Sequence, residues 1–403
     1  MGTTDDRSKS TETGERLSLV SNPSHLRVAV AGAGAFGRNH LRVYRELRLS
    51  GAPVTLAAII EGDASLAAAL AAEYAVPVFA SAAECAAHLR SGGLHLDAAS
   101  VCVPTVHHAA VAETLLSAGL DLLIEKPFAA TLAEADTLIA LAQQHHRILQ
   151  IGHLERFNPA VTAAAAHLDT PMFFEAHRLS IFTPRSLDVD VVLDLMIHDL
   201  DVVLSFVQSP VREVRAVGLP VLSRKVDIAN VRVEFESGCI ANFTASRVST
   251  ERVRKLRFFQ PHQYISLDYA RQDALIIDVT AAASAIANPA LLAALQAAPS
   301  SAASLPPSFA PTPAADSSAA AASYADSTLP PHPSSGLAMR KLSVAPGEPL
   351  RLEIESFLHA VRTRTTPHVT AAQGRNALAL ALEINRTIAD HSQRAGLHRF
   401  IQT

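Results

Sequence analysis

Leu26-Arg27-Val28-Ala29-Val30-Ala31-Gly32-Ala33-Gly34-Ala35-Phe36-Gly37 is an apolar run that ends in G-x-G-x-x-G and leads into a helical pattern. This order of strand, glycine turn and helix decides the fold, because a dinucleotide pyrophosphate binds where such a turn opens a helix. Gly32 permits the tight turn, Gly34 lets the main chain approach the pyrophosphate, and Gly37 lets the helix pack on the strand. Ala35 and Phe36 lie between the last two glycines, where amides at the helix N-terminus face phosphate.

A second apolar run, Val54–Ile60, ends at Glu61. A carboxylate there holds the ribose hydroxyls and repels a 2′-phosphate, which favours NAD, although Arg38 just beyond the third glycine leaves NADP open. The plainer reading of Glu61 is a solvated strand-end acid. Asp63 reads as the cap of a helix that starts near Ala64.

Working outward, strand-like runs near 26–31, 54–60, 97–103, 120–124 and 147–151 alternate with Ala-rich helical patterns. That alternation predicts an α/β domain, a doubly wound parallel sheet of the Rossmann type over residues 25–152. Beyond Gly152 the pattern becomes one helix around 187–207 and strand-like runs near 211–218, 227–236, 239–247 and 255–268. These predict an α+β domain with a mostly antiparallel sheet, assigned to 153–280 and 341–403. Helical spacing returns at Ile354, Phe357, Leu358 and Val361, and again at Leu378, Ala381, Leu382 and Asn385. Residues 1–24 read as a disordered tail, and the Ala/Ser/Pro-rich stretch 281–340 reads as a flexible insertion.

The 403 residues suffice for two domains with their own cores, and the net charge of −4 gives no reason to expect nucleic acid or an anionic membrane as partner. Cys85, Cys102 and Cys239 are far apart, without metal-ligand spacing, and read as thiols of a reducing cytoplasm. The N-terminal stretch lacks a signal-peptide layout and no apolar run is long enough to span a bilayer, so a cytosolic enzyme is expected.

Three clusters carry candidate chemistry. Pro104 and Thr105 end a buried strand before His107 and His108, where the chain turns beside a cofactor; the alternative is an ordinary turn with Thr105 as helix cap. Glu125-Lys126-Pro127 delivers opposite charges to a strand end, where a lysine can bind a substrate hydroxyl and stabilise a developing alkoxide; the alternative is a surface ion pair. Pro104, Thr105, His108, Glu125 and Lys126 are therefore cofactor-side candidates. Asp194, His198 and Asp201 fall at i, i+4 and i+7, one polar stripe on a helix, and an imidazole flanked by carboxylates suits a general base. Asp194 and His198 could also hold a metal, but no further ligand cluster is visible and hydride transfer needs none.

Together, Gly32-x-Gly34-x-x-Gly37, Glu125-Lys126-Pro127 and Asp194-x-x-x-His198-x-x-Asp201 resemble the Gfo/Idh/MocA oxidoreductase family over roughly 26–280 and 345–390. The resemblance implies dehydrogenation of a sugar hydroxyl by Lys126, His198 and Asp194, and a homo-oligomer, dimer or tetramer. Ile151–Ala160, Asp188–Asp199 and Ala245–Ser249 resemble, more narrowly, the UDP-N-acetylglucosamine 3-dehydrogenase subgroup, whose product is transaminated toward 2,3-diamino sugars of lipid A or other glycans. Met196 in place of the usual glycine and His153 in place of a frequent asparagine agree with that subgroup. This implies a nucleotide sugar as substrate, with Arg156, Asn158, Arg178 and Arg185 expected at its diphosphate. The alternatives are another polyol or sugar, such as inositol or glucose, and a cofactor-binding sensor without catalysis.

Overall fold

The computed structural model describes residues 25–182, 189–279, 327–328 and 337–397. The tail 1–24, most of the stretch 281–340, and Arg185 lie outside the described residues.

Six parallel strands form the first sheet: β1 (Leu26–Ala31), β2 (Val54–Ile60), β3 (Val78–Phe79), β4 (Ala98–Val101), β5 (Asp121–Glu125) and β6 (Leu149–Gly152). Their order is β3-β2-β1-β4-β5-β6, which places a change of winding direction between β1 and β4. Helices α1 (Gly37–Leu49), α2 (Ala64–Tyr74), α3 (Ala82–Arg90), α4 (His108–Ser117) and α5 (Leu132–Gln144) connect these strands. The strands read as unbroken apolar runs because helices cover both faces of a parallel sheet. Asp63 caps α2 through its carboxylate, which accepts from the amides of Ser65 and Leu66 at 2.9 Å.

After α6 (Pro159–Ala165), the second sheet contains nine strands. These are β7 (Phe173–Ile181), β8 (Val211–Leu219), β9 (Ile228–Phe235), β10 (Ile240–Ser249), β11 (Val253–Gln260), β12 (Gln263–Asp268), β13 (Asp273–Val279), β14 (Ser327–Thr328) and β15 (Leu337–Lys341). All pairings are antiparallel except β7 with β10. The sequence reading assigns no strand to β7, the hub of this sheet. Its inward series is Phe174, Ala176, Arg178, and the arginine breaks the apolar alternation that marks a half-buried strand. The 255–268 run proves to be a hairpin, β11 and β12. The stretch expected to be a flexible insertion also contributes to this sheet, through Ser327–Thr328 and all of β15 but its last residue, Lys341.

Two C-terminal helices bind the domains together. In α8 (Pro349–Thr363), Leu350, Ile354, Phe357, Leu358 and Val361 pack with Val28, Val30 and Leu41 beneath the first sheet, so part of the 341–403 segment serves the cofactor domain. In α9 (Ala371–Arg394), Leu378 faces that domain while Ala377, Ala381, Ile384 and Ile388 join the second core. Thr370 and Gln373 close a capping box at its start. No helix among the described residues is long and apolar enough to cross a membrane.

Candidate active site

The glycine turn has the geometry of a phosphate cradle. Gly32 has φ of +84°, and a Cβ there would lie 2.7 Å from the Val103 amide nitrogen. A Cβ on Gly37 would lie 1.9 Å from the Gly32 carbonyl oxygen, so helix and turn meet backbone to backbone. Around Gly34, by contrast, a Cβ would meet no atom within 4 Å, leaving space for a ligand to approach the main chain. The α1 N-terminus has no side-chain cap and no acid in its first turn. No side chain therefore competes for the positive end of the helix dipole, which fits a dinucleotide pyrophosphate.

Glu61 lies in the same cleft of about 670 Å³ with Gly32, Gly34, Ala35 and Phe36. Its carboxylate accepts from the amides of Ala33 at 2.8 Å and Asp63 at 2.9 Å, so it is ordered at the strand end. Replacing it with alanine is expected to shift the NADP-to-NAD preference by about tenfold toward NADP, because a 2′-phosphate would no longer face an anion. Initial rates with each cofactor at fixed substrate measure this ratio.

This cleft runs into a second of about 760 Å³, since Phe36, Cys102, Val103 and Pro104 line both. The second cleft brings together Thr105, His108, Glu125, Lys126, Arg178, Asp194 and His198. Thr105 begins a short 3₁₀ turn, and α4 has no side-chain cap, so the cap reading of Thr105 does not hold. His108 is buried, with Nε2 2.9 Å from the Val103 carbonyl and Nδ1 3.0 Å from that of Pro127, and it ties the β4 and β5 loops together. Glu125 is buried and bonds the His40 ring at 3.0 Å.

Asp194 stands in a π-helical turn, Val192–Met196, that precedes α7 (Ile197–Val207). This replaces the single straight helix expected over 187–207. The widened turn changes the helical phase of the residues after it, and such turns recur at functional sites. The expected stripe is split: Asp194 and His198 line the cleft, while Asp201 is buried in another pocket, 3.7 Å from Arg156.

Lys126 Nζ donates to the Asp194 carbonyl at 2.6 Å and lies 3.6 Å from its carboxylate. Burial pushes the Lys126 ammonium down, opposed by Asp194 and Glu125. No hydrogen bond joins Asp194 to His198 among the described residues, and Asp194 holds Lys126 instead. His198 Nδ1 is buried without a partner. Burial, together with Lys126 and Arg178, keeps its ring well below the ordinary imidazole range, hence neutral at neutral pH.

The expected diphosphate contacts divide. Arg178 lines the cleft, but its guanidinium is buried, donating to Asp199 at 2.8 and 3.0 Å and to Glu155 at 3.0 Å, and it stacks over the Tyr269 ring. Asn158 is buried as the α6 cap and donates to Glu155 and the Tyr269 carbonyl, away from the cleft. Arg156 faces the other pocket, beside Asp201, Ser205 and Gln373. Arg254, which the sequence reading misses, lies exposed at the cleft opposite Arg178 on the neighbouring strand. Among the described residues no group of three or more His, Cys, Asp or Glu side chains is placed to hold a metal ion.

Comparison with known proteins places this geometry. Residues 26–153 match the oxidoreductase family with an NAD-binding Rossmann fold, and residues 160–260 match the GFO/IDH/MocA C-terminal domain. A UDP-N-acetylglucosamine 3-dehydrogenase of Acidithiobacillus ferrooxidans is 40% identical over 246 residues, covering 61% of this chain and 74% of that protein. A crystal form of that organism's UDP-N-acetylglucosamine 3-dehydrogenase superposes with a TM-score of 0.72 at 31% identity, covering 94% of this chain and 99% of the other. An inositol 2-dehydrogenase of Leifsonia xyli is 32% identical over 196 residues, 47% of this chain and 56% of that protein. This chain belongs to the Gfo/Idh/MocA oxidoreductase family, with an NAD-binding Rossmann domain.

Proposed function

We propose that this oxidoreductase uses NAD to oxidise a hydroxyl of a nucleotide sugar, the 3-hydroxyl of UDP-N-acetylglucosamine, to a ketone. The observation that carries the reading is the convergence of Lys126, Asp194 and His198 in one cleft continuous with the glycine-turn cleft. The similarity to the Acidithiobacillus ferrooxidans 3-dehydrogenase supports the choice of substrate.

His198, neutral and lining the cleft, removes the hydroxyl proton and later releases it to solvent. Lys126, held on Asp194, hydrogen bonds the same oxygen and offsets the negative charge that grows there as the proton leaves. The bound nicotinamide supplies the hydride acceptor at the sugar carbon. Arg254, exposed at the cleft, gives it a cation for a diphosphate, while Arg178 in the wall is neutralised by Glu155 and Asp199. The test is to incubate the protein with NAD and UDP-N-acetylglucosamine, trap the product with hydroxylamine and locate the oxime by fragmentation. An oxime on ring carbon 3 supports the reading, and an unchanged sugar nucleotide beside an oxidised polyol in a parallel reaction overturns the substrate.

A further inference from the structure

Beneath the Glu125–Lys126 turn lies a seam of buried polar groups that the proposed chemistry does not use. Glu125 from β5 and Gln150 from β6 share the sheet face that α1 and α8 cover, and His40 from α1 and Glu353 from α8 enter the same layer. His40, Gln150 and Glu353 are all fully buried. Glu125 is fixed within the seam: His40 bonds its Oε1 at 3.0 Å, and a Cβ on Gly152 would lie 2.8 Å from the same atom. The Lys126 amide donates to its Oε2 at 3.3 Å.

Donors and acceptors in this seam do not balance if Glu353 is ionised. Gln150 Nε2 donates to the Glu353 main-chain carbonyl at 3.3 Å, which leaves Gln150 Oε1 without a donor. With Nε2 of His40 donating to Glu125, its Nδ1 is a second acceptor without a donor. Both Glu353 carboxyl oxygens are likewise unpartnered. An ionised Glu353 would add two more bare acceptors and a buried charge without a counter-ion, the costliest arrangement for an interior. A proton on Glu353 removes the charge and adds the O–H donor that the seam lacks.

We propose that Glu353 is a carboxylic acid that keeps its proton through the working pH range and, by staying neutral beside Glu125, positions the turn that carries Lys126. The proposal rests on the reading of Lys126 as the hydroxyl-binding lysine. Burial, with Glu125 and Asp201 as neighbouring carboxylates, holds the Glu353 carboxyl well above the usual carboxylate range. The other titratable groups in electrostatic contact with Glu353 are Tyr44 on α1, Cys102 after β4 and Asp201 on α7. Burial raises Tyr44 and Cys102, so neither adds a charge at neutral pH. Glu353 is thus a positioning residue and touches no substrate.

The test compares the whole protein with Glu353→Gln and Glu353→Ala. Infrared difference spectra of wild type minus Glu353→Gln at neutral pH are expected to contain the C=O stretch of a protonated carboxyl. Glu353→Ala, which removes that O–H from the seam, is expected to lower kcat about tenfold, as for one lost buried hydrogen bond, while the neutral, isosteric glutamine restores most of it. As pH rises above the ordinary carboxylate range, the wild type should lose thermal stability relative to Glu353→Gln, because the folded state must keep a proton that the unfolded chain releases. Difference bands of an ionised carboxylate alone, or a glutamine variant that is as impaired as the alanine variant or does not fold, would overturn the proposal. The infrared band needs no substrate, so its presence in a protein that oxidises no sugar would leave the protonated acid standing and remove the functional reading instead.

Discussion

Replacing His198 with alanine is expected to lower kcat by about 100- to 10,000-fold, the range for loss of a positioned acid–base group. The ring lines the cleft beside Lys126 and Asp194. Cofactor binding should be retained, because His198 lines the second cleft and not the one around the glycine turn. Steady-state rates with a parallel cofactor titration separate the two effects. A fall of less than tenfold would remove His198 from the chemistry.

The pH dependence rests on the same geometry. Burial and the Lys126 and Arg178 cations depress the His198 pKa, so the basic form persists below the ordinary imidazole range. As pH falls, kcat/KM should hold its plateau past that range and decline only under more acidic conditions, when the ring takes a proton from solvent. The acid limb should vanish in the alanine variant, since nothing is left there to protonate.

The other large effect is expected at Gly37. An alanine Cβ would sit 1.9 Å from the Gly32 carbonyl oxygen, far inside contact distance, so α1 must move away from the turn. The cradle formed by the turn and the α1 N-terminus is then distorted, and a displacement of about 1 Å at such a site costs on the order of 100-fold. We expect Gly37→Ala to lose NADH binding by at least that factor, with a lower melting temperature because β1 and α1 share a core. Gly34→Ala is the control that separates cofactor contact from folding. Its Cβ meets no protein atom within 4 Å, so the fold should melt as wild type while NADH binding weakens. Fluorescence titration of NADH and thermal melts of both variants test this. Equal melting temperatures for Gly37→Ala and wild type would contradict the packing argument.

Much of the cofactor domain is legible because its rules act on the backbone. A strand, three glycines at fixed spacing and a helix need no distant partner to be recognised, and Gly32 and Gly37 leave no room for a side chain in the structure. The parallel strands are also legible as apolar runs, since both faces are covered. The two-residue β3 is too short to carry a period. β7 is hidden by Arg178, a charge at an inward position that Asp199 and Glu155, from other elements, neutralise.

In the site, residue types are easier to read than directions. Lys126, Asp194 and His198 do line one cleft, but their pairing depends on the π-helical turn at Val192–Met196, which straight-helix spacing cannot foresee. Asp194 pairs with Lys126, and Asp201 with Arg156. Asn158 looks like a ligand contact in sequence because asparagine serves both capping and recognition. Its place before Pro159 makes it a cap, a signal that the sequence itself carries. Arg254 gives no such signal, since its position opposite Arg178 is set by strand register.

The most direct test of the proposed activity is NADH formation from NAD with UDP-N-acetylglucosamine, beside free N-acetylglucosamine and myo-inositol, with an aminotransferase and glutamate present to draw off the ketone. Turnover is expected with the nucleotide sugar alone. Turnover with a free sugar or polyol and none with the nucleotide sugar would contradict the proposed activity.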